Sequence, residues 1–495
     1  MISENNLNHK ILLADSLKDL QDDFEELEYL TQSILSSLHK FLKDLKYVQN
    51  MIRPDTQQYI FKQTVSLEKK LSSQINHIKR FKNKTISSHP SEKLLLKLSE
   101  QKEVLSDLVR NQYSIVASLI TSLDWQSPSF AYSLYSQAGK QTGKIQGTIN
   151  DYKRDTHLDE QSYEKLFIRE YIDLRFKYGL KALMTSSGQA AFTTILNFLI
   201  MEEKTKGKIL LGKSSYFQYK QLVAGAFKNQ IIEFDEMDPE NLIGLIKKYT
   251  PSVVFIDSLC NARTIPLPDI NALLDYLIKN VSREIYLVID NTGLACHFQP
   301  WSQCKRNKYI HLLVFESLMK YHHFGLDRAT GGIIVAGGRD AVKLFEYRKH
   351  LGTNIADTSV YLFPQPNRKR LETRIIRLER NAFLLVKYLR NYLSDNKNKV
   401  EKIVYPGCGT FFNLDFKRKS IRLYGRFINI VINRAKRKNV QLVGGTSFGM
   451  NHTRIYLTSL WTKYGQPFVR VSVGTENRRQ IETVKEVFQT AIDQI

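Results

Sequence analysis

Between residues 181 and 338 the chain alternates short apolar runs with longer stretches of helical periodicity, and this rhythm restricts the fold more than any other feature of the sequence. The runs KALMTSS, KILLGK, SVVFIDS, IYLVIDN, IHLLVFES and GGIIVAGG are too short for packed helices, and their apolar stretches do not show the alternation of a strand with one wet face. Amphipathic segments such as GQAAFTTILNFLIMEE and PDINALLDYLIKN fall between them. Strands buried on both faces need helices on both sides, so the expectation is an α/β domain on a largely parallel sheet. After YLFPQPNR, a long helical pattern and a mixed tail ending in FVRVSVG predict a smaller α+β domain.

The first 125 residues have a different texture. Leu17, Leu20, Phe24, Leu27, Ile34, Leu38, Phe41, Leu45, Val48 and Ile52 follow three- and four-residue steps, a heptad seam interrupted only by Thr31. Pro54 ends it; Ile60, Leu67, Leu71, Ile75 and Ile78 then define a second helix. Pro90 opens a third, with Leu94, Leu98, Leu105, Leu108, Ile115 and Leu119 on one stripe. Such a coiled-coil-like unit could dock a partner or an oligomer. Packing of the stripes on each other or on the remaining chain is the expectation.

Four regions follow for the 495 residues: a helical domain over 1–125, a Ser/Gln/Gly-rich linker and arm over 126–160, the large α/β domain over 161–363, and the small domain over 364–495. The 72 Lys and Arg exceed the 49 Asp and Glu, for a net charge of +23. Because basic and acidic residues are interspersed, a basic surface without a nucleic-acid partner is expected. Cys260, Cys296, Cys304 and Cys408 lack paired or metal-type spacing, which predicts reduced thiols, no metal site and a cytoplasmic protein. Glu4, Asp15, Asp19, Asp22 and Asp23 argue against a signal or transit peptide, and no uncharged run is long enough for a bilayer.

Three elements carry chemistry. TSSGQAA is a strand followed by a helix start, where the N–H groups of Gly188 and Gln189 next to Ser187 suit a phosphate. VIDNT places Asp290 at the carboxyl end of a buried strand, where ligands of open α/β sheets bind. HLLVFES then leads to Lys320, with Ser317 three residues before it. Alone, the first is a helix cap, the second a turn carboxylate and the third a surface lysine. Together and in this order they are what a pyridoxal phosphate (PLP) enzyme requires: a phosphate cradle, an acid that keeps the ring nitrogen protonated, and a lysine for the Schiff base.

Over roughly residues 150–495 the chain resembles the Cys/Met metabolism family of PLP enzymes, which includes cystathionine synthases and lyases and methionine γ-lyase. The resemblance implies the PLP-transferase, aspartate aminotransferase-like fold: a three-layer α-β-α large domain with a mostly parallel sheet, then a smaller α+β domain. It also implies roles. Tyr152 and Arg154 in DYKRD match the pair that grips the cofactor phosphate of a neighbouring subunit, and SGQAA matches the phosphate turn. Tyr216 matches the aromatic stacked on the ring, and Asn261 in DSLCN is nominated for the ring hydroxyl. SLMKY around Lys320 resembles Ser-x-Thr-Lys-Tyr, and FVRVSVGTEN nominates Arg470 for the substrate α-carboxylate, which an arginine fork suits. GTSFGMNHTRIYL resembles the substrate loop, adding Ser447 and Arg454 as substrate-binding candidates. Lys320, Asp290 and Tyr216 are thus the catalytic candidates.

The departures are Met319 for the phosphate-binding Thr, FGLD with only Asp327 retained from Gly-His-Ser-Asp, and the additional His452 and Arg454. The implied activity is β- or γ-elimination or γ-replacement on an amino acid, in a homodimer or homotetramer with shared sites. Two alternatives stand beside it: a specialised carbon–carbon or carbon–heteroatom coupling enzyme of secondary metabolism, and an inactive PLP-fold protein whose helical domain binds a partner or nucleic acid.

Overall fold

A computed structural model describes residues 4–47, 54–87, 89–123, 126, 152–173, 179–304, 307–394, 399–458 and 466–495. The apolar runs form β1 (Leu180–Thr185), β2 (Ile209–Gly212), β4 (Val253–Asp257), β5 (Ile285–Asp290), β6 (Ile310–Ser317) and β7 (Gly332–Gly337). An edge strand, β3 (Ile231–Phe234), completes a seven-stranded sheet of order β1-β7-β6-β5-β4-β2-β3. In β3 only Phe234 is buried, so it carries no fully apolar run to announce it. Every pairing is parallel except the two made by β7. The segment between β6 and β7 folds back without a helical crossover, which only an antiparallel return allows. Parallel register sets Asp257 beside Asp290 at the carboxyl edge, with Ser317 just beyond on β6.

The small domain holds β8 (Val400–Val404), β9 (Phe411–Phe416), β10 (Val443–Gly444), β11 (Arg454–Leu457) and β12 (Val469–Ser472) in the order β10-β11-β12-β9-β8. Helices Arg368–Ser394, Ile421–Arg437 and Arg478–Asp493 pack on it around Leu385, Phe412, Phe427 and Phe488.

Near the amino end are α1 (Glu4–Tyr47), α2 (Pro54–Ser87) and α3 (Glu92–Thr121). The seam is buried from Leu17 to Leu45; Val48 and Ile52 lie outside the described residues. Thr31 stays within it because its hydroxyl donates to the Leu27 carbonyl at 2.8 Å. Pro54, which stops the first pattern, is also the first residue of α2, where its missing N–H costs nothing. The third helix starts after Ser91, whose hydroxyl caps the Leu94 N–H, rather than at Pro90. Its expected stripe needs correction: Leu108 and Ile115 are 43% and 56% exposed. The buried face instead runs through Leu98, Leu105, Val109, Tyr113 and Val116, with Lys102 and Gln112 interleaved. Gln112 pairs with Gln74 of α2 at 2.7 Å, and such buried polar pairs disguise the face in sequence.

The helical unit packs on itself and on the small domain. Along helix Arg368–Ser394, Arg370 meets Glu25 at 2.6 Å, Arg374 meets Glu26 at 2.6 Å, Arg377 meets Asp23 at 2.7 Å, and Arg380 meets Asp19 at 2.7 Å. Steps of four, three and three place the four arginines on one helix face against the acids of α1. Arg377 is buried and also donates to the Thr475 carbonyl. Arg377→Ala leaves Asp23 buried without its partner, and a loss of about 3–5 kcal/mol in urea unfolding is expected. Arg370→Ala, at a pair only partly shielded from solvent, is expected to cost less than ~1 kcal/mol.

Among the described residues no helix is long and apolar enough to cross a membrane, and no His/Cys/Asp/Glu group could hold a metal ion.

Candidate active site

A cleft of about 240 Å³ opens at the carboxyl edge of the large sheet. Ser187, Gly188, Gln189, Tyr216, Asn261, Asp290, Ser317 and Lys320 all line it. Phe411 and Phe448 of the small domain join them, so the cleft lies between the two domains.

The anion end is built by helix Gly188–Met201. Ser187 caps it, accepting from the Ala190 N–H at 3.0 Å, which leaves the first N–H groups available to a ligand. Gly188 is required there: a Cβ would lie 2.8 Å from the Cβ of Ser317. Gln189 and the Tyr216 hydroxyl both bond to Gln218, at 3.1 and 3.0 Å.

Asp290 is buried at the tip of β5, and its Oδ1 accepts from the Thr292 N–H at 3.0 Å. Burial pushes its carboxyl up to about 6, against the hydrogen bonding from Thr292. Its strand neighbour Asp257 is pushed well up by burial and then by the Asp290 charge. Asp257 accepts from the Tyr216 N–H at 3.0 Å and from the Tyr219 hydroxyl, thereby fixing the aromatic wall.

The amine of Lys320 donates to the Ser447 hydroxyl at 3.0 Å and lies 5.5 Å from the Phe448 ring centroid. Burial brings its pKa down to about 8, opposed by the charge of Asp327. The loop carrying Ser447 comes so close that Gly449, at φ +80°, admits no side chain: a Cβ would lie 2.0 Å from the Lys320 carbonyl oxygen.

Arg470 lines an adjoining cavity of about 470 Å³, which shares Tyr216, Asn261 and Thr446 with the cleft. It is 4% exposed, donates to Asn413 Oδ1 at 3.2 Å and to the Ala262 carbonyl, and has no carboxylate partner among the described residues. Burial lowers its pKa to about 9. Arg454 is placed differently: it lines neither cavity, and its guanidinium bonds Asp327 at 3.1 Å. Tyr152 and Arg154 also lie away from the cleft of their own chain. Tyr152 is 53% exposed, and Arg154 meets Asp155 at 3.0 Å beside Lys349–Gly352.

Sequence reasoning did not nominate Asp257, Gln218, Phe411 or Phe448 as site residues. Asp257 ends an apolar strand as Asp290 does, a signal that could have found it. The two phenylalanines come from the other domain and carry no local signal.

A helix N-terminus whose first glycine admits no Cβ, a buried carboxylate, an aromatic wall and a shielded amine are a donor set that fits PLP. The comparisons agree. A model of the family described as Cys/Met metabolism PLP-dependent enzyme matches residues 123–455, more than half of the chain. The bifunctional enzyme flvA of Aspergillus flavus is 23% identical over 357 residues, 69% of this chain and 42% of that protein; the chain spans less than half of that relative. The L-methionine γ-lyase of Treponema denticola is 21% identical over 352 residues, 70% of this chain and 80% of that one. Cystathionine γ-synthase from Xanthomonas oryzae pv. oryzae, solved with cystathionine, superposes with a TM-score of 0.55 at 17% identity, covering 71% of this chain and 91% of that one. That likeness shows the type I PLP fold, and the family match shows more: this chain belongs to the Cys/Met metabolism PLP-dependent enzymes.

Proposed function

We propose that the chain catalyses elimination or replacement at the β or γ carbon of an amino acid, with Lys320 as the cofactor-bearing lysine. One observation carries this reading: a shielded amine and a buried carboxylate line one cleft, next to a cavity holding a buried guanidinium that has no acid partner among the described residues. Pyridoxal phosphate, when bound, supplies an electrophilic carbonyl and an electron sink for the substrate carbon. The first N–H groups of helix Gly188–Met201 and the Ser317 hydroxyl would hold its phosphate, and Tyr216 would supply the aromatic wall for its ring. Asp290 keeps a proton on the ring nitrogen. Arg470 takes the substrate α-carboxylate through the guanidinium N–H groups not bonded to Asn413 or Ala262. Lys320, neutral over half of its population above about pH 8, removes the α-proton and returns it to a neighbouring carbon. Ser447 accepts from that amine and aims it. Met319 supplies no hydroxyl to the phosphate, which leaves the helix N-terminus with a larger share of it.

The adjoining cavity is larger than the cleft and gives a second reactant room beside Arg470, which favours replacement over elimination. Sulfur amino acids and O-acylated homoserines, each with and without a thiol, test this. A new thioether formed only with the thiol is expected; ketoacid release independent of thiol indicates elimination. No turnover of any member overturns the reading.

Tyr152 and Arg154, remote from their own cleft, are proposed to complete the phosphate cradle of a second copy, making a homodimer the smallest active unit. A mixture of inactive Lys320→Ala and Arg154→Ala chains is then expected to recover about a quarter of wild-type activity, because half of the random dimers carry one intact site. No recovery after subunit exchange removes the shared arm.

A further inference from the structure

The helical unit lies outside the matched residues 123–455, yet it reaches the loops around Lys320. Arg374, 3% exposed on helix Arg368–Ser394, stands between them. Its Nη1 donates to Glu26 of α1 at 2.6 Å; its Nη2 donates to the Gly449 carbonyl at 3.0 Å and to Asn451 Oδ1 at 2.6 Å. Two residues before Gly449, Ser447 accepts from Lys320 Nζ, and Gly449 abuts the Lys320 carbonyl. The segment after the lysine is gripped as well. Phe324 meets Tyr29 of α1 with ring centroids 5.4 Å apart and the rings tilted by 59°, and Arg110 of α3 reaches the Gly325 carbonyl at 3.5 Å. Glu103 of α3 meets His452 at 3.3 Å.

We infer that Glu26 is a positioning residue: through Arg374 it fixes the 447–451 loop, and so the Ser447 hydroxyl at the Lys320 amine, which makes the helical unit an internal brace of the active site. Removing the carboxylate from a buried pair leaves the guanidinium uncompensated in charge, which destabilises the arrangement that the pair holds. Among the described residues Glu26 is the carboxylate that pairs with this guanidinium, and the remaining donors of the fork are directed at the loop. The role of Ser447 rests on the cofactor-lysine reading above.

The test uses the full chain. Glu26→Ala, Glu26→Gln, Arg374→Ala and Glu28→Ala are compared by hydrogen exchange of peptides covering 445–452 and by the rate at which PLP with borohydride labels Lys320. Glu28 is the control, since it joins Lys82 of α2 at 2.8 Å on the same helix. Glu26→Ala is expected to speed exchange in 445–452 about tenfold and to slow labelling, with other peptides near wild type. Glu26→Gln, which keeps an acceptor, is expected to recover part of both, and Glu28→Ala to change neither. Exchange in 445–452 that responds to Arg374→Ala but not to Glu26→Ala overturns the brace; so does acceleration spread evenly over the chain. Failure to label Lys320 in the wild type sinks the cofactor reading instead, and the exchange result is read independently of it.

Discussion

Lys320→Ala is expected to lower turnover by about 10³-fold or more and to abolish borohydride-dependent attachment of PLP to the peptide spanning Leu318–Tyr321. General acid–base catalysis by one side chain contributes about 10²–10⁴-fold, and this amine is assigned both covalent attachment and proton transfer. Its environment sets the pH dependence. Burial favours the neutral amine and brings the pKa down to about 8, so in the protein without cofactor the attachment rate is expected to rise through pH 7–9 and to level above. A solvent-exposed lysine would continue to gain toward pH 10.4. Peptide mapping of the reduced protein reads the site, and stopped-flow absorbance reads the profile. Undiminished labelling in the alanine variant moves the assignment to another lysine.

The second large effect is expected at Asp290. Asn is nearly isosteric and retains an oxygen for the Thr292 N–H, so the fold should tolerate Asp290→Asn. What it lacks is the negative charge that holds a proton on the ring nitrogen. Removing such an electrostatic contribution from a water-poor site costs about 10²–10³ in turnover. Labelling of Lys320 is expected to persist, because attachment needs the amine rather than the acid. Burial raises the Asp290 carboxyl to about 6 in the protein without cofactor, and a facing ring-nitrogen cation lowers it again, so activity of the wild type should fall as pH drops below about 6 and protonation removes the charge. In the Asn variant that acid limb should disappear. An unchanged limb assigns it to another group.

Legibility in the sequence followed locality. Five of the six apolar runs became strands that run in one direction in the large sheet, four of them joined by parallel pairing and β1 held only through β7, because strands buried on both faces are written as unbroken hydrophobic stretches. The sixth, β7, is equally apolar and antiparallel, a direction that composition does not encode. β3 escaped notice because an edge strand needs only a half-buried face. Asp290, Ser317 and Lys320 were readable from their position after strand ends, and the cleft brings them together. Arg454 was nominated from a loop motif, whereas its guanidinium is engaged by Asp327, a pairing across 127 residues that no window reveals. The polar positions of α3, Lys102 and Gln112, explain why its stripe was drawn one step off.

Asp19 and Asp23 had served only to argue against a transit peptide, yet they neutralise the guanidinium groups of Arg380 and the buried Arg377, more than 350 residues along the chain. A recombinant fragment beginning at residue 123 would expose Arg370, Arg374, Arg377 and Arg380, together with the apolar surface that α1 covers. Such a fragment would be prone to aggregate or to bind polyanions through a face that the intact molecule conceals, and any affinity measured on it would report the cut.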